Sequence, residues 1–138
     1  MEVDKFIERL KQDFPGFQIR EGKRFKYRFP GLIQYEQPEG DKMSTEFGLQ
    51  VLHEVGHAIL EHKNFRTDPE RLKMERGAWE EARKMCTRYN IIYDEELVET
   101  KMDTYRDWLH QRSKCGKCGL TRYQTKDGRY HCPNCEAC

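Results

Sequence analysis

The apolar run from Phe47 to Leu60 constrains this chain most, because it carries two histidines and a glutamate, His53-Glu54-Val55-Gly56-His57, within one hydrophobic helix. Residues four apart stack on one helix face, so both imidazoles can converge on a single cation with Glu54 beside it. Leu49, Leu52, Val55, Ile59 and Leu60 make the segment largely apolar, and imidazoles buried there need a partner. Ser44 or Thr45 is the expected helix cap, and Gly56 suits close packing against another element.

Neutral imidazole binds Zn²⁺ without cancelling its charge, and a centre that keeps one position open lowers the pKa of water there towards about 7. Glu54 is the candidate general base, taking the proton of water as it attacks a carbonyl and passing it to the leaving amine. Such a centre needs a third protein ligand. Asp68-Pro69 opens another helix, with Asp68 as N-cap and Pro69 as the first helical residue, and an apolar stripe of Leu72, Ala78, Trp79, Ala82, Met85, Cys86 and Tyr89. At about 100° per residue Glu75 falls inside that stripe, whereas Glu70, Glu80 and Glu81 point away. An inward carboxylate on an apolar face is costly unless it is paired or bound to metal. Glu75 is the expected third ligand, with Glu80 in reserve, and Cys86 reads as a small core residue. Tyr105, His62 and His110 are candidate donors to the oxyanion, with His62 expected to point away from the ligand pair at the end of its helix.

A second metal signal lies at the C-terminus, where Cys115-Gly116-Lys117-Cys118 and Cys132-Pro133-Asn134-Cys135 form two CxxC pairs thirteen residues apart. Together they supply the tetrahedral sulfur set of a structural zinc ribbon. Tyr123-Gln124 and Arg129-Tyr130 flank Lys126-Asp127-Gly128, whose Asp-Gly step suits a hairpin tip. A segment of about 25 residues cannot build its own core, so its folding rests on the ion. Cys138 is a spare thiol that could compete with Cys135.

Removing the ribbon from the 138 residues leaves enough chain for one modest core. The expected division is a catalytic domain over 1–112 and a ribbon over 113–138. With 25 Lys+Arg against 24 Asp+Glu the net charge is only +1, which argues against a dedicated nucleic-acid protein. No run approaches the roughly 20 apolar residues of a membrane span, and the start lacks a signal-peptide pattern, so no membrane association and a cytoplasmic location are expected. Val3, Phe6, Ile7, Leu10 and Phe14 mark an amphipathic helix that Pro15-Gly16 stops. Strands are expected over Phe17 to Arg20, Phe25 to Phe29 and Leu32 to Tyr35, the middle one with a basic face of Arg24, Lys26 and Arg28. A last helix runs from near Asp94 to about His110, with Val98, Met102, Tyr105 and Leu109 inward. The expected fold is α+β: a small antiparallel three-stranded sheet packed on a helical zincin-like core, plus the ribbon hairpin.

The stretch His53-Glu54-Val55-Gly56-His57-Ala58-Ile59-Leu60-Glu61-His62, followed by Glu75-Arg76-Gly77-Ala78-Trp79-Glu80-Glu81-Ala82, resembles the ImmA/IrrE metallopeptidases over roughly residues 17 to 90. That resemblance implies a catalytic zinc held by His53, His57 and Glu75, with Glu54 as base, and protein substrates that include DNA-binding transcriptional repressors. In zinc peptidases of this kind an edge strand aligns an extended substrate by backbone hydrogen bonds, and the resemblance implies the same here. Gly77 stands where the family often has another glutamate, and the ribbon lies outside the family's core. SprT-like proteases, which act on DNA-bound proteins, also join this motif to a C-terminal ribbon but take a third histidine downstream; here only His62, His110 and His131 follow His57. A non-enzymatic alternative is a ribbon adaptor that contacts nucleic acid through Arg122, Tyr123, Lys126, Arg129 and Tyr130.

Overall fold

Helix α2 (Thr45–Ile59) is the axis of the fold, and its composition explains why. Ser44 caps it, its Oγ accepting the Phe47 N–H at 3.0 Å. Every residue from Phe47 to Ala58 except Gln50 is buried, and a helix that is apolar all round must be covered from several directions. The computed structural model describes residues 2–135 and supplies that cover with α1 (Val3–Asp13), a sheet of β1 (Gln18–Gly22), β2 (Lys26–Arg28) and β3 (Leu32–Glu36), and helices α3 (Asp68–Cys86) and α4 (Glu95–Ser113). A hairpin of β4 (Tyr123–Gln124) and β5 (Tyr130–His131) follows. The α+β class is as expected. No helix among the described residues is long and apolar enough to cross a membrane.

Helices α2 and α3 approach closely at Gly56, where a Cβ would lie 2.3 Å from the Ala78 carbonyl oxygen. The two helices therefore cross backbone to backbone, which only glycine permits. On another side Phe47 meets the rings of Phe6, Phe25 and Tyr35 at centroid distances of 5.9–6.3 Å, joining α1 and the sheet to the same helix.

The sheet corrects one expectation: it is mixed rather than antiparallel, in the order β1-β3-β2, with β1 parallel and β2 antiparallel to β3. Residues 23–25 carry the chain across the sheet, leaving a slot that β3 fills. Three extended residues reach about 10 Å, the width of two strand spacings of about 4.8 Å. Gln34 on β3 holds this crossing by donating from Nε2 to the Arg24 carbonyl at 3.0 Å, and Gly22 makes room, since a Cβ there would come within 2.0 Å of the Gln34 side chain. The central place suits β3, whose Ile33 is fully buried. Strand β2 is left at the edge beside α2.

A second correction concerns Asp68, which is itself helical, with Thr67 in the N-cap position. Its buried carboxylate serves a tertiary role instead. Arg112 donates from Nε to Oδ2 at 2.8 Å, the Tyr130 hydroxyl donates to the same oxygen, and the Asp68 N–H donates to Gln124 Oε1 at 2.7 Å. One residue thus ties the start of α3 to the end of α4 and to the hairpin. Burial by itself would raise the Asp68 pKa, but the bonds from Tyr130 and Arg112 outweigh it and hold the carboxyl below its ordinary value. Asp68→Asn is expected to cost about 2 kcal/mol near neutral pH. Because the folded pKa is the lower one, this contribution is present above about pH 4 and is lost as the pH falls through the folded value. Urea unfolding of both proteins checks it: the curves should separate at pH 7 and converge in acid, and an undiminished gap at pH 3 rejects the assignment.

Candidate metal centres

His53 and His57 leave α2 on one face, and Glu75 reaches them from the facing turn of α3. Glu75 Oε2 lies 2.8 Å from His53 Nε2 and 3.2 Å from His57 Nε2. A tetrahedral ion with bonds of about 2.0–2.2 Å needs donors about 3.3 Å apart, so the set accepts one with shifts of a few tenths of an ångström. All three side chains are largely buried, 6%, 9% and 12% exposed, and two nitrogens with one carboxylate oxygen suit a borderline divalent ion. The expected ligands are thus brought together. Burial would lower the His53 pKa, but the neighbouring Glu54 and Glu75 carboxylates outweigh it and raise it to about 9; burial likewise opposes and the two histidines overcome it at Glu75, held far below the carboxylate range.

The rings around the ligands are positioned by aromatic slabs that sequence reasoning missed. His53 stacks on Trp79 at 4.1 Å and 5°, and His57 on Tyr27 at 5.6 Å and 14°. Trp79 lies four residues beyond Glu75 on α3, so helical spacing could have revealed it. His62 corrects an expectation: its Nδ1 lies 2.8 Å from His57 Nδ1. The chain doubles back because Glu61 adopts a left-handed φ of +53°, and Tyr27 then donates its hydroxyl to the His62 carbonyl at 2.8 Å. Burial and the neighbouring His57 hold the His62 pKa down, so a neutral ring can accept the His57 Nδ1–H and leave Nε2 free to ligate.

Glu54 is buried in the wall of the same cleft, with Oε1 3.5 Å from His53 Nδ1, long for a hydrogen bond. The cleft holds about 280 Å³, and Tyr105 of α4 lines it near Glu75. Burial and then the Glu75 charge push the Tyr105 phenol well up, keeping it a proton donor. The reserve ligand Glu80 is exposed and lies outside the donor set, as does the exposed His110.

In the C-terminal hairpin the Sγ atoms of Cys115, Cys118, Cys132 and Cys135 lie within 4.8 Å of one another, the second expected cluster. Cys118 and Cys132 are 3.5 Å apart, close to the roughly 3.8 Å between sulfurs on a tetrahedral ion with bonds of about 2.3 Å. Backbone N–H groups of Lys117 and Asn134 donate to the Cys115 and Cys132 sulfurs at 3.4 Å. Cys118, Cys132 and Cys135 are free thiols while Cys115 is disulfide-bonded, so a four-sulfur site requires Cys115 in its reduced form. Cys138, the expected spare thiol, lies outside the described residues.

The molecule thus carries two candidate metal centres, one open to a cleft and one in the hairpin. Comparison with protein-family models, curated proteins and solved structures finds no match to this chain.

Proposed function

We propose that the protein is a zinc-dependent endopeptidase of the ImmA/IrrE-like, gluzincin type, with a second, structural zinc in its C-terminal ribbon. The convergence of His53 Nε2, His57 Nε2 and Glu75 Oε2 on one point of an open cleft, with Glu54 in the wall, carries this reading. Bound there, Zn²⁺ supplies a Lewis acid and water of lowered pKa. Glu54 takes the proton of the attacking water and returns it to the leaving amine. Trp79 and Tyr27 hold the two imidazoles, and His62 sets the tautomer of His57. Tyr105, kept protonated by its surroundings, is the donor for the oxyanion that develops on the scissile carbonyl. Lys26 and Tyr27 of edge strand β2, with Phe25 just before it, line the cleft, which suits an extended substrate lying alongside by backbone hydrogen bonds. By resemblance the substrate is a protein, with DNA-binding regulators as first candidates, in the cytoplasm. Glu75 in the donor set favours this reading over a SprT-like centre with three histidines.

Glu54→Gln preserves size and ligand geometry but cannot take a proton. It is expected to keep its zinc and its unfolding midpoint while proteolysis drops by about 10²- to 10⁴-fold. Cleavage at the wild-type rate would reject the role assigned to Glu54.

A further inference from the structure

Arg71 lies on the same face of α3 as Glu75, one turn earlier, and lines the cleft without a part in the mechanism above. Its guanidinium carbon is 4.4 Å from the ring centroid of Trp108, 5.3 Å from that of Tyr105 and 5.6 Å from that of Phe65. Rings from α4 and from the loop before α3 therefore surround a partly buried cation. Among the described residues no carboxylate lies within ion-pair distance of Arg71, and its side-chain N–H groups have no hydrogen-bond acceptor. Aromatic rings satisfy the face of a guanidinium but leave its planar N–H fork unused, and that fork matches the two oxygens of a carboxylate.

The charge around it has the same sense. Lys26 and Lys63 line the cleft as well, and Lys63 sits 4.5 Å from the Phe29 ring rather than beside an acid. The acidic groups of the cleft are committed at its inner end, Glu75 to the two histidines and Glu54 beside His53. The outer cleft is thus cationic and offers no internal counter-ion.

We propose that Arg71 is a substrate-binding residue that grips a carboxylate of the peptide, so that preferred substrates carry an acidic side chain or a free C-terminus near the bond that is cut. That the ligand is a peptide rests on the peptidase reading; that it bears a carboxylate rests on Arg71 itself. An Arg71 that merely braced Trp108 would stabilise the fold without distinguishing a carboxylate from an amide.

Calorimetric titration of the zinc-loaded, full-length Glu54→Gln protein tests this with three matched peptides: an end-blocked peptide containing Glu, the same peptide with Gln, and the Gln peptide with a free C-terminus. One of the two carboxylate peptides is expected to bind about 10- to 100-fold more tightly than the neutral one, and which one identifies the source. Adding Arg71→Gln should erase that preference and leave the neutral affinity within about twofold, while Arg71→Lys restores part of it. Equal affinities, no measurable binding of either carboxylate peptide at millimolar concentration, or a preference that survives Arg71→Gln would each overturn the proposal. An Arg71-dependent preference in a zinc-loaded wild-type protein that cleaves none of the peptides rejects the peptidase reading and keeps Arg71; cleavage that ignores the carboxylate does the reverse.

Discussion

Glu75→Ala is expected to strip the His53/His57 centre of its ion, taking zinc from two ions per chain to one and abolishing proteolysis. Two imidazoles alone make a poor site. Loss of a partner outside the coordination shell already costs roughly 10- to 100-fold in affinity, so loss of a ligand should exceed that. Glu75 also balances charge, since its oxygen lies 2.8 and 3.2 Å from two imidazole nitrogens whose apolar setting offers little solvent. Metal analysis under reducing conditions provides the check, with Cys115→Ser/Cys118→Ser as the converse variant that keeps the cleft ion and loses the hairpin one. Two ions retained in Glu75→Ala would remove it from the ligand set and with it the case for this centre.

The second large effect comes from a single added methyl group. Gly56→Ala would place a Cβ 2.3 Å from the Ala78 carbonyl oxygen and 3.1 Å from its carbonyl carbon, and neither is a side chain that can swing aside. Helices α2 and α3 must separate by about 1 Å, a strain expected to cost more than about 3 kcal/mol. Helix propensity acts in the opposite direction, since alanine is better than glycine in a helix interior by up to about 1 kcal/mol, so a net loss isolates the close approach. The damage should reach the site as well, because α2 carries both histidines and α3 carries Glu75. Urea midpoints and zinc content measured together test this, with Gly16→Ala as the control because nothing lies within 4 Å of its added Cβ. A Gly56→Ala protein as stable as wild type, with its zinc, would contradict the crossing geometry.

What could be read from the chain in advance was whatever depends on one element at a time. The spacing of His53 and His57 on a helix, the inward place of Glu75 on its own stripe, and the CxxC pairs all follow from local periodicity. The same holds for Ser44 as a cap, which accepts a backbone N–H three residues on. Asp68 misled for a physical reason: an Asp before Pro reads as a cap by propensity, but Arg112 and Tyr130 offer its carboxylate stronger partners from 44 and 62 residues away. His62 misled because a left-handed Glu61 is not legible in side-chain pattern.

By itself the sequence determined which residues can bind metal, which helices carry them, and that the fold mixes helices with a small sheet. Only the tertiary structure decided that β3 lies between β1 and β2, that Trp79 and Tyr27 clamp the two imidazoles, and that three rings enclose Arg71 beside them. Periodicity within a helix or strand is set by backbone geometry and is written locally. Which faces then meet depends on volumes and contacts between distant segments, here on the missing side chain at Gly56 and on Gln34 holding a crossing loop.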